Sequence, residues 1–355
     1  MLHFLAFCGI KYGMNLRRLL SLSVLLSVSV AVSAQEQGRP ASRAIQLDVA
    51  VSAKAGPPTT GLTQQDFVLL DNKSPRPITS FKAVTSAQEQ VEVILLIDAV
   101  NMPFTTSAYV RHQVEDFLKT KDGRLGHPTS IAVLTDKGAQ IQKGFTTDGA
   151  LLRESLDKFD IGLREIGRNT GIEGAEERTE ISLAAVRQLA GYASTLPGRK
   201  IVLWISPGWP LLSGVHVQLD DRQQQAIFRD VVALSTLLRQ ARLTLYDINP
   251  LGAVENIAET YRYEEFLRGI AKPGQTDIAD LSLQVLSAQS GGLVLEGSTD
   301  VTGEIQHCFD DANSWYQISF DGAPAEHANE YHHIEIKVNK PNLSARTRDG
   351  YYAQP

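Results

Sequence analysis

Four short apolar runs in this sequence lead directly into residues that can do chemistry. Val91 to Ile97 leads to Asp98, Ile131 to Thr135 to Asp136, Ile201 to Ile205 to Ser206, and Leu243 to Tyr246 to Asp247. Carboxylates and a hydroxyl brought to one edge could ligate a hard divalent cation, accept hydrogen bonds from a partner, or brace a loop. Catalytic constellations do not emerge. Ser206 has Trp204 where a nucleophile elbow needs glycine. His112, His127, His216, His307, His327, His332 and His333 show no ligand spacing, and His332 and His333 fall on opposite faces of a strand. Glu176-Glu177, Asp220-Asp221 and Glu264-Glu265 read as solvated loops or helix starts. After the first run, Asp98-Ala99-Val100-Asn101-Met102-Pro103 has neither a glycine-rich phosphate turn nor a Walker lysine. The expectation is a protein that is not an enzyme and uses no cofactor.

The runs that carry these residues are apolar on both faces, as strands of a mostly parallel sheet covered by helices must be. Helical periodicity separates them: Val110, Val114, Phe117 and Leu118, then Ile181, Ala184, Ala185 and Leu189, then Ile227, Val231, Leu234 and Leu238. Ile278, Leu281, Val285 and Ala288 continue the series, with Gly291-Gly292 as a C-cap and Leu293 to Leu295 as a last short strand. This predicts a Rossmann-like, doubly wound α/β domain over about residues 90–312. In such sheets ligands lie beyond the carboxyl ends of the strands, near the topological switch point. Connections at about 160–179 and 249–276 are long, and the second is expected to hold a short helix around Tyr261 to Ile270.

The two ends have a different texture. Ile45, Leu47, Val49 and Val51 alternate with Gln46, Asp48, Ala50 and Ser52; Tyr316, Ile318 and Phe320, and then Ile334, Ile336 and Val338, alternate likewise. These are half-buried antiparallel strands, and segments 41–86 and 314–353 are expected to pair as one β unit around the central domain.

Of 355 residues 43% are hydrophobic and 21% charged, an ordinary globular composition. Arg17-Arg18, the Leu/Ser/Val/Ala run from Leu19 to Val32, and Val32-Ser33-Ala34 read as a signal peptide over residues 1–34, with Met14 as its natural opening. Removing it would leave 31 bases against 40 acids, a net charge of -9 with Cys308 as the lone cysteine. That balance excludes nucleic acid as a partner, and no membrane span is expected in the mature chain. Val301, Ile305, Cys308 and Ala312 share a helical face, so Cys308 is expected to be buried and inert.

The first strand ending in Asp98, the helix with Tyr109-Val110-Arg111, Gly198-Arg199-Lys200 before a strand, and Leu245-Tyr246-Asp247-Ile248-Asn249-Pro250 resemble the von Willebrand factor type A domain. Gly61-Leu62-Thr63-Gln64-Gln65-Asp66-Phe67, Lys337 to Pro341 and Arg346 to Ala353 resemble the flanks of its bacterial secreted branch, so the likeness covers nearly the whole mature chain. The resemblance implies an exported protein that binds protein ligands through a metal-ion-dependent adhesion site, built from Asp-x-Ser-x-Ser with a Thr and an Asp from later loops.

Here Asp98 keeps the first ligand, but Val100 and Met102 occupy the serine positions, and Ser206-Pro207-Gly208-Trp209 stands where the family has its later Asp. Thr170 or Thr179 would supply the threonine. One carboxylate and one hydroxyl are a poor cage for Mg²⁺, so the resemblance implies a degenerate site and no metal. Two readings of the strand-end residues stay open: Asp98 with Asn101 braces the following loop, or Asp98, Asn101, Ser206 and Asp247 line a metal-free patch that binds a protein. Trp204 is expected in the core and Trp209, between Gly208 and Pro210, as an exposed contact residue. A structural scaffold subunit of an envelope assembly is the alternative from another class, and a hydrolase with a site assembled from loops is a third.

Overall fold

The computed structural model describes residues 44–53, 56–159, 171–210, 218–252 and 262–355. In chain order the elements are β1 (Ala44–Ala53), β2 (Phe67–Asp71), β3 (Ser74–Arg76), β4 (Ser80–Thr85), β5 (Val91–Asp98), α1 (Phe104–Phe117), β6 (Arg124–Thr135), β7 (Gly138–Ile141), β8 (Thr146–Asp148) and α2 (Gly149–Lys158). They continue with α3 (Ile172–Ser194), β9 (Arg199–Ile205), α4 (Asp221–Gln240), β10 (Leu243–Ile248), α5 (Leu283–Gln289), β11 (Val294–Leu295), α6 (Val301–Asp311), β12 (Ser314–Asp321), β13 (Glu330–Val338), β14 (Leu343–Arg346) and β15 (Gly350–Ala353).

The doubly apolar runs form the central sheet, in the order β7-β6-β5-β9-β10-β11. Counted along the chain this is 3-2-1-4-5-6, the Rossmann order, with β7 antiparallel at one edge. The switch point lies between β5 and β9, which pair in parallel from Val91↔Arg199 to Ile97↔Ile205. Alternate residues of these strands feed two cores: Val93, Leu95 and Ile97 pack with α1 and α6, and Ile94 and Leu96 pack with α3 and α4. The predicted faces of α1 and α4 are buried as read. On α3 the face is rotated: Ala184 is exposed, and Leu183, Val186, Ala190 and Ala193 join Ala185 and Leu189 inside.

The single helix expected from Ile278 to Ala288 is two pieces. A 3-10 turn at Ile278–Leu281 ends at Ser282, whose extended backbone and side chain, accepting from Val285 N–H at 3.2 Å, cap a separate α5. Gly291 follows α5 at φ +89°, and the N–H groups of Gly291 and Gly292 return to the carbonyls of Ala288 and Ser287, the left-handed C-cap that only glycine takes without strain. Of the helix expected near Tyr261 to Ile270, the described part is a 3-10 turn at Tyr263–Phe266.

Strands from the two ends of the described chain pair with each other. One sheet runs β14-β1-β12-β4 and the other β15-β13-β2-β3. Ile45↔Phe320, Leu47↔Ile318 and Val49↔Tyr316 set the register of the first, so the alternating apolar residues of β1 and β12 share one face. That face meets Phe67, Leu69, Ile334, Ile336 and Tyr351 of the second sheet in a sandwich core. Trp315, on the other face of β12, is buried in the α/β core beneath the Arg199 guanidinium, 5.3 Å from its ring centre.

The C-terminal motif ties these layers together. Arg346 of β14 pairs with Asp311 of α6 at 2.5 Å, Asp311 also accepts from the Tyr246 hydroxyl at 2.6 Å, and Arg346 reaches the Gly291 carbonyl. Burial works to raise the Asp311 carboxyl, but Arg346 outweighs it and holds the group below its ordinary value. Tyr352 donates to the Ile270 carbonyl at 3.0 Å, and His332, buried as Asp71's partner at 2.8 Å, stacks on Tyr351. Exposed His333 lies on the opposite face, as strand alternation requires. Cys308 is buried in the α/β core, and burial pushes its thiol pKa up. Among the described residues no helix is long and apolar enough to cross a membrane.

Candidate functional site

β5 delivers Asp98 to the switch point, where its side chain is fully buried. Its Oδ1 accepts the N–H groups of Val100 and Asn101, each at 2.9 Å. Its Oδ2 accepts Asn101 Nδ2 at 2.8 Å, Trp204 Nε1 at 3.0 Å and the Ser206 hydroxyl at 3.0 Å. Five donors therefore occupy one carboxylate, which has about four lone-pair directions. The bonds from Trp204 of β9 and from Ser206 just past its end tie the ends of β5 and β9 together at the switch point.

The neighbouring residues serve the same brace. Ser206 accepts from Gly208 N–H at 3.1 Å, and Gly208 takes φ +89° where an added Cβ would meet Gln284 Nε2 at 2.8 Å. That turn folds the chain back and buries Trp209, which is 4% exposed, donates Nε1 to the Leu281 carbonyl at 3.0 Å and meets Trp204 edge-on at 5.3 Å. The expectation of an exposed Trp209 is thereby corrected: a loop residue outside any periodic pattern is core because the loop lies over the sheet. Thr179 of α3 is buried and donates to the carbonyls of Ala175 and Pro210, pinning this loop. Thr170 lies outside the described residues.

The structure thus brings Asp98, Asn101 and Ser206 together, attaches Thr179 to the adjoining loop, and keeps Asp247 apart on β10. It adds Ser182, one turn after Thr179, whose hydroxyl accepts from Asn101 Nδ2 at 2.9 Å. Asp98, Ser206 and Asp247 are all fully buried, so they do not line an open patch, and the expectation of a surface built from them is corrected. Nor do the residues fit the metal that the resemblance implies. Val100 and Met102 have no side-chain oxygen and are fully buried, and Asp98 has no lone pair to spare.

Asp247 has a different character. It is fully buried and, among the described residues, neither carboxyl oxygen has a hydrogen-bond partner. Burial pushes its pKa well above the ordinary carboxylate range, and the Glu296 and Asp98 carboxyls push the same way. The folded chain keeps a proton here that the unfolded chain releases above about pH 4. Stability is then lost as pH rises from about 4 through the folded-state pKa. Asp280 and Asp349, both pushed up to about 7 by burial, add to the slope in the same direction. Asp247→Asn, an uncharged near-isostere, should raise the Tm at pH 8 and leave it nearly unchanged at pH 3.5. A lower Tm at pH 8 would show that the fold needs the ionised carboxylate.

No model of a known protein family matches the sequence, and no curated protein matches it. Among solved structures it is similar to proximal thread matrix protein 1 from the mussel byssus (10% identity over 67% of this chain and 50% of that one, TM-score 0.36). It is also similar to the SpRpn10 VWA domain (10% identity, 61% of this chain and 94% of that one, TM-score 0.29). A third likeness is to the manganese-loaded Plasmodium vivax TRAP protein (9% identity, 77% and 98% of the two chains, TM-score 0.34). The chain spans half the length of the mussel protein. With its 3-2-1-4-5-6 sheet and flanking helices, the fold is Rossmann-like.

Proposed function

We propose that this chain is an exported protein-recognition module of the bacterial secreted von Willebrand factor type A-related branch, acting without a metal ion and without catalysis. One observation carries the reading: the Asp98 carboxylate, the first ligand of the family's adhesion site, is fully engaged by five protein donors. The two positions that should offer hydroxyls are the buried Val100 and Met102. Asp98 then works as a brace that sets the strand-end loops, and recognition falls to what those loops expose. The basic, apolar and small-residue order of residues 1–34 supports export. The test is capture of partners from envelope extract by residues 35–355, run in parallel with chelator and with Mg²⁺. The same partner should be retained equally in both, whereas retention only with Mg²⁺ would overturn the reading.

A further inference from the structure

Beside the braced switch point, at the carboxyl ends of β10 and β11, lies a corner rich in acids. β10 and β11 pair in parallel with Asp247↔Val294, and Glu296 stands two residues beyond Val294, on the face of the sheet that Asp247 shares. Gln284 of α5 covers that face and donates to Glu296 at 3.5 Å. The turn at Tyr263–Phe266 adds Tyr263, half-buried, and Glu264, exposed. Burial raises the Glu296 carboxyl, with Glu264 pushing the same way; burial also raises the Tyr263 phenol, and Glu264, Glu296 and Asp247 all add to it.

Among the described residues no basic side chain forms an ion pair with Asp247, Glu264 or Glu296. Exposed Arg262 borders the depression that Glu264 and Glu265 line, without pairing to either. A buried carboxyl with two unsatisfied oxygens beneath such a cluster is costly to the fold and points to a cation that arrives from outside. The carboxyls are too dispersed for a metal: among the described residues no group of three or more His, Cys, Asp or Glu is placed to hold one. Carboxyls close enough to a phenol to act on it electrostatically suit a planar guanidinium, which bonds two carboxylates at once and stacks on an aromatic face.

The adjoining rim is apolar. Leu251, past the end of β10, is 43% exposed; Gly252 beside it lies against Thr299, and the Thr299 carbonyl accepts from the Tyr109 hydroxyl at 2.8 Å. Tyr109 is 41% and Phe104, which opens α1, 58% exposed. We propose that this corner receives an arginine side chain of the protein partner, with Tyr263, Glu264 and Glu296 around the guanidinium, Asp247 beneath them, and Leu251 against the flanking residues. The proposal rests on the recognition reading above and names the chemistry of its partner.

The test is fluorescence anisotropy with labelled octa-arginine at 150 mM salt, with octa-lysine for comparison, on residues 35–355. Glu264→Gln/Glu296→Gln should weaken octa-arginine by at least about tenfold, the scale of two lost charge-assisted hydrogen bonds. Glu154→Gln/Glu335→Gln, which removes two exposed charges on α2 and β13, should change it less than about twofold. Octa-lysine should bind more weakly than octa-arginine. Equal losses in the two double variants, equal affinity for the two peptides, or no binding would overturn the proposal and leave metal-free recognition standing. Partner capture that fails in chelator would instead sink the metal-free reading and leave the arginine result intact.

Discussion

Asp98→Ala is expected to be among the most damaging single changes in this chain, because five donors converge on the Asp98 carboxylate. The truncation strands the buried Trp204 indole N–H, Ser206 hydroxyl and Val100 N–H, and takes an acceptor from the part-buried Asn101 N–H and from its amide, which keeps Ser182. Each unsatisfied buried donor costs about 1–3 kcal/mol, so even with relaxation the loss should be on the order of 4 kcal/mol or more. Asp98→Asn should not rescue it, because one of the two acceptor oxygens becomes an NH₂ facing donors. Denaturant unfolding checks both variants. An Asp98→Asn chain as stable as the parent would show that the brace does not depend on the carboxylate.

Trp209→Ala should destabilise by roughly 3–5 kcal/mol, the cost of a large-to-small change in a packed core, and Trp204→Ala by a similar amount. Trp209 is 4% exposed and Trp204 fully buried, and the two rings meet at 5.3 Å, so their losses should not add: once one ring is gone, the other has already lost its neighbour. Unfolding of both single variants and the double variant measures this. A Trp209→Ala chain with unchanged stability would return Trp209 to the surface and restore it as a contact residue.

What the sequence made legible followed from periodicity. The doubly apolar runs around Ile94, Val202 and Leu245 could only be sheet interior, and the alternation at Leu47 and Ile318 fixed both the strands and the face that packs. Helix faces were legible where spacing was clean, as at Ile227, Val231, Leu234 and Leu238. They blurred on α3, where alanines occur on the exposed side as well and carry little signal. Asp98 was legible as the pivot of the strand-end face, because it follows the first doubly apolar strand. Its engagement was not, since Trp204 and Ser206 lie more than one hundred residues away and their donor directions depend on the register of β5 with β9. The acidic corner was hidden for the same reason. Glu264-Glu265 looks like any solvated pair in the sequence, and only the pairing of β10 with β11 places Glu296 on the Asp247 side.

Titration calorimetry with Mg²⁺, Mn²⁺ and Ca²⁺, paired with thermal unfolding in the same buffers, tests most directly whether the Asp98 carboxylate is committed to the protein. The saturated hydrogen bonding at Asp98 predicts no saturable heat and no shift in Tm with any of the three ions. An ion bound specifically at 100 times its dissociation constant would stabilise the chain by about 2.7 kcal/mol, well within reach of the measurement. Saturable binding in the micromolar range that disappears in a folded Asp98→Asn variant would contradict the account.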